Sequence, residues 1–166
     1  MKKVILLLFV FSSIVLNAQV AKILKGVNDA GDVATFELDC SKNFQVLAKG
    51  MRYNIIRHEF KGVEKKNVYY LLLVMEGVYL ATPNSEMTIS AVMSDGSIIS
   101  NKETIEDDGF FDGACTLKLN NITSFLESNL QVDKIIVHTN KDVVYVISDK
   151  NKRTFKTNLS NIINEK

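Results

Sequence analysis

The sequence contains few of the residues that form common catalytic and metal sites. Its 166 residues include no Trp, one Pro, two Cys and two His, and the formal net charge is +1. Two histidines leave little material for metal or acid–base chemistry. A near-neutral charge excludes the strongly basic surface that nucleic acids attract. We therefore expect no cofactor and no nucleic-acid partner.

The common catalytic motifs are absent as well. The sequence has no His-Glu-x-x-His, no Cys-x-x-Cys and no Gly-x-Ser-x-Gly, which are signatures of zinc proteases, zinc or redox sites and serine hydrolases. A glycosidase needs two carboxylates across a cleft, and without Trp the sequence lacks a common aromatic platform for a sugar. The sequence favours a non-catalytic protein.

The first 18 residues read as a secretory signal peptide. Two lysines precede an apolar stretch, Val4–Leu16, which only two serines interrupt, and Ala18 supplies a small residue for cleavage. Thirteen residues are too few for a membrane-spanning helix, which needs about 17 to 25. The sequence predicts a bacterial protein exported to the periplasm or beyond the cell, with no stable membrane insertion of the mature chain.

The remaining residues, 19–166, are expected to form a single β-rich domain. Apolar residues alternate or run in short segments up to Leu119, as in strands. Residues 61–67 predict a turn between strands 53–60 and 68–75, and residues 94–97 predict another. Because Val68–Met75 is continuously apolar, we expect a central strand covered on both faces.

The last third adds helical spacing to this pattern. Apolar residues fall on one helical face between Ile122 and Leu130, and again between Phe155 and Ile163. Two strands, Lys134–Thr139 and Val143–Ser148, lie between these segments. The second strand is again continuously apolar, which predicts an internal position in a sheet.

The expected fold class is mainly β, with two short helices in the C-terminal third. A β-sandwich and a small, partly open antiparallel barrel both fit, the helices closing one edge or end. An α+β fold is the alternative. An outer-membrane barrel is disfavoured because its strands should alternate apolar and polar residues, and the two continuous strands do not.

Cys40 and Cys115 form a candidate disulfide. Export implies an oxidising compartment, and the bond would close a loop of about 75 residues and stabilise the fold by roughly 4 kcal/mol. Two separate core thiols are an equal alternative, because free cysteine is among the most buried residue types.

The candidate acid–base and metal residues are few. His58 and His138 are the only histidines, and Glu59 follows His58 on a strand, so these neighbours should face opposite sides. An acidic stretch offers weak candidates for a calcium site in Glu106, Asp107, Asp108 and Asp112, with Glu103 nearby. A solvated loop is the simpler interpretation, since the spacing does not match an EF-hand.

Two further groups have an ordinary structural explanation. A basic cluster begins the last helix, and it could bind an anion or simply face solvent; it comprises Lys150, Lys152, Arg153 and Lys156. Tyrosines on the apolar strands could line a groove, but they are more often core residues; they are Tyr53, Tyr69, Tyr70 and Tyr79.

Three functions from different classes are compatible with these features. The leading hypothesis is an exported, non-catalytic module that binds a protein, a glycan or another envelope component. The second is a carrier of a small apolar ligand in a barrel-like cavity. The third is a hydrolase that uses His58, Glu59 and the acids between Glu106 and Asp112.

Overall fold

The computed structural model describes residues 21–62, 66–76, 79–80, 82–105, 108–119, 131–139 and 141–166. The predicted leader and the first predicted helix, 122–130, lie outside the described residues. The described part contains twelve strands and one helix, α1, Asp149–Asn164. The mainly β class is therefore confirmed, but the two short helices are corrected, within this part, to one helix of 16 residues.

A six-stranded antiparallel sheet, the first sheet, has the order β1-β2-β4-β5-β10, with β3 also paired to β4. Both β2 and β3 run antiparallel to β4 along the same edge, so they act as one interrupted strand. The bounds are β1 Ile23–Val27, β2 Val33–Leu38, β3 Gln45–Ala48, β4 Met51–Phe60, β5 Lys66–Met75 and β10 Ala114–Leu119.

A four-stranded antiparallel sheet, the second sheet, has the order β12-β11-β7-β8. A separate two-stranded ribbon joins β6 to β9. The bounds are β6 Tyr79–Leu80, β7 Glu86–Met93, β8 Ile98–Thr104, β9 Phe110–Phe111, β11 Val132–His138 and β12 Val143–Val146.

The predicted hairpins are confirmed. Phe60 pairs with Lys66 at the start of the β4–β5 ladder, and Val92 pairs with Ile98 beyond the turn at residues 94–97. In that turn the Asp95 carboxylate accepts a hydrogen bond from the Ser97 amide at 2.9 Å, and Gly96 has a φ of +83°. Local turn chemistry thus fixes the second of these connections.

The two sheets and the helix enclose one continuous cluster of buried side chains. Every second residue of the central strands points inward, and the largest fully buried side chains include Tyr53 and Phe36 from the first sheet and Ile89 from the second. Beside the core, β8 and β10 run close together, and Asn101 Nδ2 donates to the Thr116 carbonyl at 3.1 Å.

The helix begins at a capped end and covers the inner face of β2, β3 and β4. The Ser148 hydroxyl accepts a hydrogen bond from the Asn151 amide, as an N-cap does. Phe155, Leu159 and Ile162 are buried, which confirms the predicted apolar face. Phe155 meets the ring of Tyr53 edge to face at 5.2 Å.

A buried arginine holds the other end of the helix. Arg57 is 3% exposed, and its guanidinium lies 3.7 Å from the centroid of the Phe36 ring. It donates to the carbonyls of Ile163 and Glu165, at 2.8 Å each. A cation at this end of a helix is favourable because the helix dipole and the last carbonyls are negative there.

Two predictions about strand environment are corrected. β5 is central as expected, yet only one of its faces is buried. Tyr70, Leu72 and the other apolar residues on the second face are half-buried. β12 is not internal but an edge strand, and Val144 and Val146 are 49% and 72% exposed. A continuous apolar run marks a strand with two apolar faces, but this chain does not cover both of them.

Among the described residues, no helix is long and apolar enough to cross a membrane.

Candidate functional site

The two cysteines do not meet. Both are free thiols, and Cys115 is buried on β10. Cys40 follows β2, and two strands, β4 and β5, separate β2 from β10, a distance of about 14 Å. A disulfide needs Cα atoms closer than about 7 Å. The structure therefore has two separate thiols, the second of the two alternatives that the sequence left open.

Neither thiol is activated. Burial raises the pKa of Cys115, and the neighbouring Glu103 carboxylate raises it further. Burial also raises the pKa of Cys40, with the negative charge of Glu37 adding to the effect. Because the thiolate is the reactive form, both groups are poor nucleophiles in the folded protein.

The acidic stretch forms part of a shallow cleft. Glu103, Asp108 and Asp112 line an open depression of about 410 Å³ together with Phe110 and Phe111. Asp108 and Asp112 each accept a hydrogen bond from the amide two residues ahead, at 2.9 Å, as Asx turns do. Two of the metal candidates, Glu106 and Asp107, lie outside the described residues. Within the described ranges, no group of three or more ligand side chains could hold a metal ion.

His58 and Glu59 do face opposite sides of β4. His58 lies on the outer face, where its Nδ1 is 3.0 Å from the Thr35 hydroxyl and its ring meets Tyr70. Glu59 points to the other side and approaches Arg57 at 3.7 Å. The acid and base of the predicted hydrolase are therefore not brought together at this position.

The tyrosines and the basic cluster serve the fold. Tyr53 is fully buried and accepts a hydrogen bond from Asn158 at 2.9 Å, and burial raises its pKa to about 12. Tyr79 is also buried, and its hydroxyl is hydrogen-bonded to that of Tyr145. From the basic cluster, Lys152 forms ion pairs with Asp133 and Asp149 at 2.6 and 3.7 Å.

The structure reveals a polar network that the sequence did not predict. On the outer face of the second sheet, Ser90 Oγ lies 3.0 Å from His138 Nε2 and 2.8 Å from Ser100 Oγ. His138 Nδ1 lies 3.3 Å from an oxygen of Asp142. These contacts place a hydroxyl, an imidazole and a carboxylate in the order of a Ser-His-Asp triad.

The same network lacks other parts of a hydrolase site. Ser90 is only 4% exposed, and β7 is hydrogen-bonded to a strand on each side, so its amides serve the ladders. An oxyanion hole needs amide or side-chain donors aimed at the reacting oxygen. The described residues show no such free donor pair at Ser90, and none of the clefts described includes it.

Next to this network lies an exposed aliphatic surface. Register alignment places Ile98, Val92, Lys134 and Val146 in one row across the four strands. The next row contains Ile136 and Val144. Ile98 is 61% exposed and Val146 is 72% exposed. We call the five apolar residues the aliphatic patch; they are Val92 and Ile136, which are half-buried, and Ile98, Val144 and Val146, which are exposed.

Comparison with known proteins provides no further guide. No family of proteins, no curated protein and no solved structure matches this chain.

Proposed function

We propose that this protein is an exported, non-catalytic module that binds a protein of the cell envelope through the aliphatic patch. The export signal of residues 1–18 motivates the location. The patch motivates the activity. Contiguous exposed aliphatic side chains on a sheet are characteristic of a surface that another molecule covers.

The exposure of β12 carries the proposal. Val144 and Val146 lie on a short edge strand, and Ile98 lies at the opposite side of the same sheet. The helix in the described part of the chain, α1, packs against the first sheet instead. Ile98, Val144 and Val146 keep about half to three-quarters of their surface in water, so covering each one would yield roughly 1 to 2 kcal/mol, a share of the value for full burial.

The chemistry of the face favours a protein over a sugar. Apart from His138, its outward residues are aliphatic, hydroxyl-bearing or charged, and none is Phe, Tyr or Trp. Sugars are commonly held on aromatic rings, whereas an aliphatic surface suits apolar protein side chains. A carrier of small apolar ligands finds no support in the interior of the described residues, because Ile55, Leu71 and Leu117 are among many side chains that fill it.

Position-specific photo-crosslinking in intact cells tests the proposal. A photoreactive residue at Ile98 or Val146 should give a discrete heteromeric product, and one at Thr116, which is exposed on the first sheet, should not. The product should disappear when Val144→Asp is combined with the reactive residue at position 98. Equal products at positions 98 and 116, or none at 98 and 146, would contradict the proposal, as would retention of the full chain in the cytoplasm.

A second candidate is ester hydrolysis by Ser90, His138 and Asp142. The observation that favours it is the order of the two contacts, Ser90 to His138 and His138 to Asp142, at 3.0 and 3.3 Å. With a proton on Nδ1 facing the carboxylate, His138 Nε2 can accept the Ser90 proton. The burial of Ser90 and the engaged amides of β7 make this function weaker than binding.

A fluorophosphonate probe separates the two functions. Hydrolysis requires labelling of the purified protein at Ser90, with loss of labelling in Ser90→Ala and His138→Ala. The binding proposal requires that the probe leave the protein unlabelled. Labelling at Ser90 would therefore replace the binding proposal with a catalytic one.

A further inference from the structure

We infer that the partner presents a carboxylate to Lys134, surrounded by apolar side chains, and that the partner is not a second copy of this chain. This inference rests on the proposed binding surface and specifies the chemistry of its ligand. It is carried by the position of one lysine within the aliphatic patch.

Lys134 stands between two members of the patch. Its cross-strand neighbours are Val92 on β7 and Val146 on β12. The residue is half-buried, as a lysine is when its methylene chain lies along an apolar surface. A partner that covers Val92 and Val146 must therefore also cover Lys134.

The other ionisable side chains on this face already have partners. Lys102 pairs with Glu86 at 2.6 Å, and His138 lies 3.3 Å from Asp142. In the described part of the chain, no carboxylate lies within ion-pair distance of Lys134. Asp133, the acid next to it in sequence, is bound to Lys152.

Covering an unpaired ammonium group is costly. A charge that loses its water without gaining an ionic partner destabilises a complex by several kcal/mol. A carboxylate on the partner removes this cost and adds a charge-assisted hydrogen bond. Electrostatic complementarity of this kind selects partners and fixes their register.

The described residues of the patch do not offer that carboxylate to a second copy of the chain. If two copies packed patch to patch around a two-fold axis through the centre of the patch, Lys134 of each copy would face Lys134 of the other. Like charges in such a contact cost several kcal/mol. The charge at the centre of the patch thus disfavours self-association and favours an acidic, apolar segment of a different protein.

Peptide selection tests the inference without knowledge of the natural partner. A random 12-residue phage library is selected on the purified exported protein, on Lys134→Glu and on Lys42→Glu, which makes the same charge change in a distant exposed loop. The wild type and Lys42→Glu should select peptides with Asp or Glu among apolar residues. Lys134→Glu should select Lys or Arg in the same context, and it should bind the wild-type peptides at least tenfold more weakly, a change of about 1.4 kcal/mol.

The outcomes distinguish the inference from the proposed function. If Val146→Asp abolishes peptide binding but Lys134→Glu selects the same sequences as the wild type, the patch binds and the inference fails. If Val146→Asp leaves binding unchanged, the proposed surface itself is wrong. Dimerisation of the wild-type protein through the patch would also overturn the inference.

Discussion

Two glycines with the same backbone conformation provide a sharp test of the described packing. Gly96 and Gly113 have φ values of +83° and +81°, which favour glycine over any other residue. A methyl group on Gly96 would meet nothing within 4 Å, whereas one on Gly113 would lie 2.5 Å from the carbonyl oxygen of Met75. Comparison of the two alanine variants therefore separates two effects. Gly96→Ala introduces backbone strain alone, and Gly113→Ala introduces the same strain and a steric clash.

The expected costs differ by a factor of three or more. Gly96→Ala should cost about 1 kcal/mol, the penalty for a left-handed L-residue. Gly113→Ala adds the clash, about 1 to 3 kcal/mol, and weakens the hydrogen bond from the Met75 amide to the Gly113 carbonyl, worth about 1 kcal/mol. That bond is 2.8 Å long and ties the start of β10 to the end of β5. The total is about 3 to 5 kcal/mol, a large part of the stability of a typical domain.

Urea unfolding followed by far-UV circular dichroism measures both variants, since the chain has no Trp for fluorescence. Gly113→Ala should lower the midpoint by about 2 M and Gly96→Ala by about 0.5 M, for m-values of about 2 kcal/mol/M. Gly26→Ala is the control, because Gly26 has neither a positive φ nor a neighbour within 4 Å. Coincident midpoints for Gly96→Ala and Gly113→Ala would refute the close approach of β10 to β5.

Three further predictions concern buried polar groups. Because the pKa of Tyr53 is raised to about 12 in the folded state, its contribution to stability should be full below about pH 10 and be lost as the pH rises towards 12; urea midpoints at pH 9 and 11 measure it, and equal midpoints would refute it. Tyr53→Phe should cost about 1 to 3 kcal/mol because the buried Asn158 amide loses its acceptor, whereas Tyr70→Phe, on the half-buried outer face, should cost less than about 0.5 kcal/mol. The non-reduced protein should show two thiols in denaturant, with Cys115 unreactive in the native state; a mass lower by two hydrogens would indicate the disulfide instead.

The sequence predicted the parts of the fold that depend on neighbouring residues. The β4–β5 hairpin, the turn around Gly96 and the apolar face of the last helix follow from local spacing and turn chemistry, and the structure has all three. Such features need no knowledge of what lies across the core. They are specified within a window of about 10 to 18 residues.

The contacts that define the candidate site depend on strand order, which local patterns do not contain. Ser90 and His138 are 48 residues apart, and they meet only because β7 and β11 are neighbours. For the same reason the sequence could not decide whether the two cysteines pair. Nothing in their spacing indicates that β4 and β5 separate β10 from β2. A histidine at the end of a strand and a serine at a polar position of another strand form no local pattern that predicts their contact.

The edge position of β12 shows a different limit. A continuous apolar strand implies that both faces are covered, and the sequence does not say by what. On the second face of β5 the apolar side chains are half-buried. On β12 the side chains of Val144 and Val146 are exposed to solvent. The wrong prediction that β12 is an internal strand therefore identifies the same surface as the exposed fractions of Val144 and Val146 do.

An exposed aliphatic patch on a sheet must also be kept from self-association. An exposed, apolar edge strand is a hazard for edge-to-edge association, and proteins limit it with short edges and charged residues. β12 has four residues, and Lys134 interrupts the row formed by Ile98, Val92 and Val146. Both devices are present here.

Lys134→Val would remove one of these devices and leave the fold intact. It would make the row Ile98, Val92, position 134 and Val146 continuously aliphatic across four strands, so we expect self-association that increases with protein concentration, measured by light scattering. Lys42→Val, which removes the same charge from an exposed loop, should stay at the wild-type size. If both variants scatter like the wild type, Lys134 does not restrain the patch, and the charge argument for a heterologous partner loses its physical basis.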